Sequence, residues 1–212
     1  MEAFFTVTSR ANPTIKIQAA AGHFATGSAH RSHYIDIFEL KTNASEARHA
    51  ARELAMPYLS NTIVDVIVYT DGAEVLASYM ADELLQAGSG VINEGSEIHI
   101  ITPIHIPDGH FIFHQQVHEL IKNKNAVLLA ASMSTGATAS KVAECLRYYG
   151  CRLVGISAIF AAVPEFNGVA VHSLFSNEDI PDYRFYNLSD CVMCREKMKL
   201  DAIIDSEGYT KV

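Results

Sequence analysis

The sequence predicts an α/β protein built on a parallel sheet flanked by helices. Three observations carry this. Residues 63–69 (IVDVIVY) and 126–131 (AVLLAA) are short, nearly continuous apolar runs, as in strands buried on both faces. Amphipathic segments of helical period stand between and after them, and Gly, Pro and Asn punctuate the joins.

Taken in order, the first clear element lies at 45–58. There Ala47, Ala50, Ala51, Leu54, Ala55 and Tyr58 recur at i, i+3, i+4, i+7, i+8 and i+11, one stripe of a helix, with Pro57 near its end. The β-branched run 63–69 follows as a strand; its only charge, Asp65, stands near the start and reads as a strand-end carboxylate. Residues 74–87 return to helical spacing through Val75, Leu76, Tyr79, Met80 and Leu84, with Gly88 as the residue that ends the helix. A short strand is expected at 98–101, after which Pro103, Pro107, Asp108 and Gly109 break the pattern and 111–113 suggest a hairpin arm. A turn at 123–125, a strand at 126–131, a loop SMSTGA, a helix at 138–149 and a strand at 151–160 complete the alternation. Repeated β-α-β order makes the sheet parallel, and ligands then bind beyond the strand C-termini, where the loops after Tyr69 and Ala131 lie.

Length and charge narrow the function. The 212 residues suit one globular domain, 1–212, with a full core. With 16 Lys+Arg against 24 Asp+Glu, a formal charge of −8 and no basic run, the sequence lacks the footprint of a nucleic-acid or anionic-membrane partner. The opening MEAFFTVTSR has no basic stretch before an apolar one, and no apolar run nears the roughly 20 residues of a membrane span. A cytoplasmic location is therefore expected. Four cysteines are too few for a disulfide framework, and the ten histidines scatter from His23 to His172 without an HExxH motif.

The loop after 126–131 is the most informative segment. Ser134, Thr135, Gly136, Ala137 and Thr138 stand where a strand gives way to a helix, so free backbone N–H groups, the helix dipole and small hydroxyl side chains converge. Such a turn binds an anion, or Thr138 simply caps the helix; residue types alone leave both open. No lysine follows the glycine and no GxGxxG occurs, which removes the nucleoside-triphosphate and dinucleotide fingerprints.

This strand-STGAT-helix segment resembles the phosphoribosyl-diphosphate loop of the type I phosphoribosyltransferases. Residues 24–36 (FATGSAHRSHYID) resemble the early orotate phosphoribosyltransferase segment that ends in YYID. The resemblance spans about 22–160 and implies a phosphoribosyltransferase-type sheet under a small N-terminal hood. The hood would occupy 1–44, the core 45–175 and a C-terminal tail 176–212. It further implies that Ser134 to Thr138 hold a ribose 5-phosphate, that Tyr34 lies by the base pocket, and that Thr70, Asp71 and Gly72 form the pyrophosphate loop. Mg2+ as cofactor, a homodimer sharing its active sites, a phosphorylated sugar or nucleotide as ligand, and a place in pyrimidine biosynthesis come with it.

Three features depart from that pattern. Ala130 and Ala131 stand where the family has two acidic residues that contact the ribose, and Asp71 stands where a basic residue is common. The segment 94–120, in place of the family's basic catalytic arm, has no Lys or Arg and offers His99, His105, His110, His114 and His118. No catalytic residue is thereby assigned; Asp36 and Asp71 are the candidates. Two functions follow: phosphoribosyl transfer to a nitrogenous base, or non-catalytic binding of a nucleotide or sugar phosphate on the same fold.

Cys191 and Cys194 form a CxxC in SDCVMCREK. The spacing suits incidental cysteines, a zinc site completed by further ligands such as a histidine, or a redox pair.

Overall fold

The computed structural model describes residues 1–27, 29–86, 88, 90–206 and 208–212. Strands β1 (Phe5–Thr8), β2 (Lys16–Ala25) and β3 (Ala29–Asp36) come first, then helices α1 (Phe38–Thr42) and α2 (Ala44–Ala55), with a 3-10 turn at Met56–Tyr58. Next come β4 (Val66–Tyr69), α3 (Glu74–Leu85), β5 (His99–Ile101), the hairpin strands β6 (Ile104–His105) and β7 (Phe111–Ile112), and α4 (Gln115–Ile121). The remainder is β8 (Asn125–Met133), α5 (Ala137–Tyr148), β9 (Arg152–Ala161), β10 (Glu165–Phe166), β11 (Val169–Ser176), β12 (Phe185–Asn187), α6 (Val192–Arg195), β13 (Ala202–Ile204) and β14 (Tyr209–Lys211). Among the described residues no helix is long and apolar enough to cross a membrane.

The core sheet runs β10-β11-β9-β8-β4-β5 and is parallel from β11 to β5, as the β-α-β order predicts. Alternation along its strands separates two apolar layers. Ile67, Val127 and Leu129 face the Ala47-Ala50-Ala51-Leu54 stripe of α2 and the Leu76-Met80-Leu84 stripe of α3. Val66, Val68, Leu128 and Ala130 face Ala139, Val142 and Leu146 of α5 and Ile121 of α4. Each such large apolar side chain contributes about 1.5–3 kcal/mol on burial.

Several elements differ from expectation in physically readable ways. The strand expected at 63–69 begins at Val66, because the Val64 N–H is taken by the Asn93 side chain at 2.9 Å and Ile63 faces solvent. Asp65 stands just before the first strand residue, at the strand end as expected, accepting from the Asn125 N–H at 2.9 Å and from Lys124 Nζ at 3.2 Å. The helix expected over 74–87 ends at Leu85; Ala87 lies outside the described residues, as does Ser28 of the 24–36 segment. Within 94–120, β6 and β7 form the expected hairpin, and α4 then places half-buried Val117 and Leu120 and buried Ile121 against the sheet at helical spacing.

A second sheet sits over the first. Its order is β12-β3-β2-β13-β14, with β1 also on β2. Residues 176–212, expected as a tail, thus supply three of its strands: β13 runs parallel to β2 with Ala202 opposite Phe24, and β12 flanks β3. Strands of three residues show no period in sequence, which is why pairing across the chain was not visible there.

Candidate functional site

Strands β4 and β8 are parallel neighbours with Tyr69 opposite Leu129, so the loops leaving their C-terminal ends emerge side by side. The β8 loop is sharp. Gly136 adopts a left-handed conformation at φ +75°, and a Cβ there would meet the Phe166 ring at 2.9 Å, so the turn requires glycine. Gly136 occupies the N-cap of α5; Thr135 Oγ1 accepts the Ala137 N–H at 3.3 Å, and Thr138, inside the first turn, is not the cap. Ser134 is buried, its hydroxyl 3.3 Å from that of Tyr183. A small cavity of about 60 Å³ opens on this loop, lined by Ser134, Thr135, Gly136, Ala137 and Thr138 together with Thr70 and Ala130.

A larger cavity of about 350 Å³ adjoins it, with Tyr34, Phe38, Asp71, Ala131 and Asp205 among its walls. Arg31, Ser132 and Thr138 border both spaces, making them one cleft between the two sheets. The hood contributes its upper wall through β3 and α1, and the C-terminal residues Ile204, Asp205, Ser206 and Gly208 close one side.

Two cations serve this cleft. Arg31 reaches in from β3, and its Nε is buried with no hydrogen-bond partner among the described residues. A buried guanidinium N–H without an acceptor costs free energy that an incoming anion would recover. Lys41, only 5% exposed, donates from Nζ to the carbonyls of Asp71 at 2.9 Å and Ser206 at 2.6 Å. Asp71 itself sits at φ +55°, and Thr70 Oγ1 donates to its Oδ2 at 3.0 Å. Tyr34 packs against Tyr209 at 4.7 Å between ring centroids. Burial, then the charges of Asp36, Tyr209 and Asp205, push its hydroxyl up to about 12, so it is a protonated donor at neutral pH.

The sequence-derived candidates divide accordingly. The loop residues Ser134 to Thr138 share the small cavity with Thr70, while Tyr34 and Asp71 line the large one. Gly72 lines neither; it lies beside Lys41, whose Nζ is 3.6 Å from where its Cβ would be. The Asp36 carboxylate accepts the Phe38 N–H at 3.1 Å at the start of α1, outside the cavity linings. None of the five histidines of 94–120 lines either space, and His118 Nε2 is 3.0 Å from the Phe113 carbonyl. Arg31, Lys41 and Asp205 were missed. For Lys41 a signal existed: it follows Leu40 on the inward side of a short helix, where a lysine is out of place unless it has acceptors.

The CxxC lies elsewhere, at α6, where Cys191 and Cys194 meet His23 and His30 of the hood. Cys145 and Cys151 are separate: both are buried, burial pushes each thiol up to about 11, and Cys151 donates to the Lys124 carbonyl at 3.3 Å.

This arrangement of sheets and helices has counterparts among solved structures. UMP synthase from Leishmania donovani superposes with a TM-score of 0.55 at 22% identity, over 76% of this chain. The fold is that of the type I phosphoribosyltransferases. This chain spans about a third of that protein, 34% of its length. Orotate phosphoribosyltransferase from Mycobacterium tuberculosis H37Rv gives 0.51 at 13% identity, covering 77% of this chain and 91% of that one. Adenine phosphoribosyltransferase from Trypanosoma brucei, solved with AMP, pyrophosphate and ribose-5-phosphate, gives 0.50 at 15%, covering 71% and 73%. No protein-family model and no curated protein sequence matches the chain.

Proposed function

We propose that the cleft binds a ribose 5-phosphate group and transfers it, as phosphoribosyl, from phosphoribosyl diphosphate to a nitrogenous base. The observation that carries this reading is the Arg31 guanidinium, with a buried N–H that has no partner among the described residues, where the anion loop and the large cavity meet. The 5-phosphate would lie on the first-turn amides of α5, with the Thr135 and Thr138 hydroxyls and Arg31 around it. The base would enter the large cavity against Tyr34 and Phe38. The reaction breaks the C1–O bond to diphosphate and forms a C1–N bond to the base, with positive charge developing on the sugar. Carboxylates stabilise such charge, and Asp71 and Asp205 both line the cavity. These hard oxygen donors also suit Mg2+, which would neutralise diphosphate charge when bound.

Orotate is the first base to test, because residues 24–36 resemble the orotate enzymes; the same reading makes the protein a cytoplasmic homodimer of pyrimidine biosynthesis. A second reading rests on Ala130 and Ala131. Neither can contact ribose hydroxyls or the sugar cation, which favours a protein that binds a nucleotide or sugar phosphate without turnover. Loss of one preorganised electrostatic contact costs about 10²–10³ in rate.

The deciding experiment is calorimetric titration of phosphoribosyl diphosphate with Mg2+ into the protein and into Gly136→Asp, followed by pyrophosphate-release assays across bases. Binding abolished in the variant, with turnover in the parent, supports the transferase. Retained binding in the parent with no turnover supports the second reading, and no binding by the parent overturns both.

A further inference from the structure

The β2–β3 hairpin carries a bulge. Register shifts between Ala21 and Phe24, so Gly22 and His23 together oppose Ser32. A bulge re-aims a side chain, and here the His23 ring is buried on the hood, 1% exposed. The neighbouring Gly22 leaves room for the Asp201 carboxylate, since a Cβ there would meet Asp201 Oδ2 at 2.7 Å.

The surroundings of that ring are specific. His23 Nδ1 is 3.0 Å from the Met198 carbonyl, an acceptor only, so Nδ1 carries the proton and Nε2 is the atom left for a ligand. Nε2 lies 3.0 Å from His30 Nδ1, 3.5 Å from Cys191 Sγ and 3.6 Å from Cys194 Sγ. Cys194 Sγ is 3.2 Å from His30 Nδ1, and all four atoms lie within 4.8 Å of one another. One nitrogen lone pair cannot serve three donors at once, whereas a cation at the centre serves all four groups. Zn–N bonds of about 2.0–2.1 Å and Zn–S bonds of about 2.3 Å make tetrahedral edges of roughly 3.4 Å (N–N), 3.6 Å (N–S) and 3.8 Å (S–S). The N–N separation of 3.0 Å and the N–S separations of 3.2, 3.5 and 3.6 Å lie close to those edges. Two thiolates with two imidazoles are the donor set that selects zinc, and two thiolates balance its charge. The Met198 carbonyl supplies the outer hydrogen bond that orients a metal-bound imidazole.

We infer that His23, His30, Cys191 and Cys194 bind one Zn2+ as a structural centre joining the hood hairpin to the C-terminal segment. Each ion bound displaces the two thiol protons. The join has a consequence for the cleft. From the cysteines the chain passes Met198 to Asp201, whose N–H donates to the His23 carbonyl at 2.8 Å and whose carboxylate accepts the His23 N–H at 2.9 Å. It then enters β13 and supplies the cavity wall at Ile204, Asp205 and Ser206. Zinc therefore holds a wall of the binding cleft without touching it.

The test uses the full chain, reduced, stripped with a chelator and titrated with Co2+ under argon. The expected result is saturation at one equivalent, with the intense visible bands of tetrahedral cobalt and a near-ultraviolet thiolate charge-transfer band, both erased by added Zn2+. Cys194→Ser changes the exposed ligand; it should roughly halve the charge-transfer band and weaken Co2+ binding by more than the 10–100-fold that loss of an outer partner costs. His30→Gln should weaken binding while keeping the charge-transfer band. A wild-type chain with native circular dichroism and free thiols that binds no Co2+, or binds it with a pale six-coordinate spectrum, overturns the inference. If the stripped chain loses its fold and Zn2+ restores it, the inference is upheld. Because the wild-type titration decides alone, a variant that fails to fold does not blunt it.

Discussion

Lys41 Nζ and the Ser206 carbonyl oxygen meet at 2.6 Å, and the same ammonium holds the Asp71 carbonyl at 2.9 Å. One side chain thereby ties α1, the loop after β4 and the segment before β14, three parts of the cleft that belong to different layers.

Lys41→Met should unfasten them. Removing a buried charged donor leaves two carbonyls without it, at a cost of about 1–3 kcal/mol. Urea denaturation should show a lower midpoint with an unchanged slope, and calorimetry should show weaker binding of phosphoribosyl diphosphate.

Arg31→Gln separates binding from folding. The guanidinium Nε has no partner among the described residues, so the variant should lose little stability. A hydrogen bond to a charged group contributes about 1.5–3 kcal/mol, so affinity for inorganic phosphate and for phosphoribosyl diphosphate should fall roughly 10–100-fold. Equal affinity in parent and variant would remove Arg31 from the site.

Leu128→Ala tests the layer behind the loop 134–138. Leu128 is fully buried in the apolar layer shared with α5 and lines the small cavity. The substitution should cost about 2–5 kcal/mol by denaturant unfolding, depending on how far the neighbours collapse.

Alkaline stability should track Tyr58. Burial pushes its hydroxyl up to about 12, against the pull of its hydrogen bond with Ser157 at 3.0 Å. The unfolded chain ionises near 10, so stability is whole below that pH and is lost as pH rises through about 12. Tyr58→Phe should be about 1 kcal/mol less stable at neutral pH for the lost hydrogen bond, with the gap closing or reversing above pH 10. Chemical unfolding of both chains at a series of pH values reads this directly.

What could be read from the sequence followed period and punctuation. The stripe of α2 and the run of β8 are each long enough to declare a periodicity, and with them came the sheet, its parallel order and the loop at Ser134 to Thr138. The hood lacked that advantage. The last seven residues of β2, AAAGHFA, show no alternation, and its neighbour β13 and the next strand β14 have three residues each. Arg31 and Lys41 look like solvated charges until packing buries them. The CxxC was visible, but its histidine partners, His23 before Cys191 and His30 before Cys194, stand 168 and 164 residues earlier, a separation that only the folded chain closes.

The pairing of Ala202 with Phe24 also sets a timetable. During synthesis β2 and β3 leave the ribosome early and can form their hairpin at once, but the parallel neighbour of β2 is made almost last. Contacts of such long sequence separation form slowly, because a large loop must close before they contribute. The nascent chain therefore carries an unpaired stretch of strand edge at Phe24 and Ala25 through most of translation, and the cleft gains its final wall only after the loops that follow β4 and β8 have been assembled. The amide hydrogen of Ala25, whose neighbours in the strand put it on the β13 side, should accordingly be among the last to gain protection in refolding followed by hydrogen exchange.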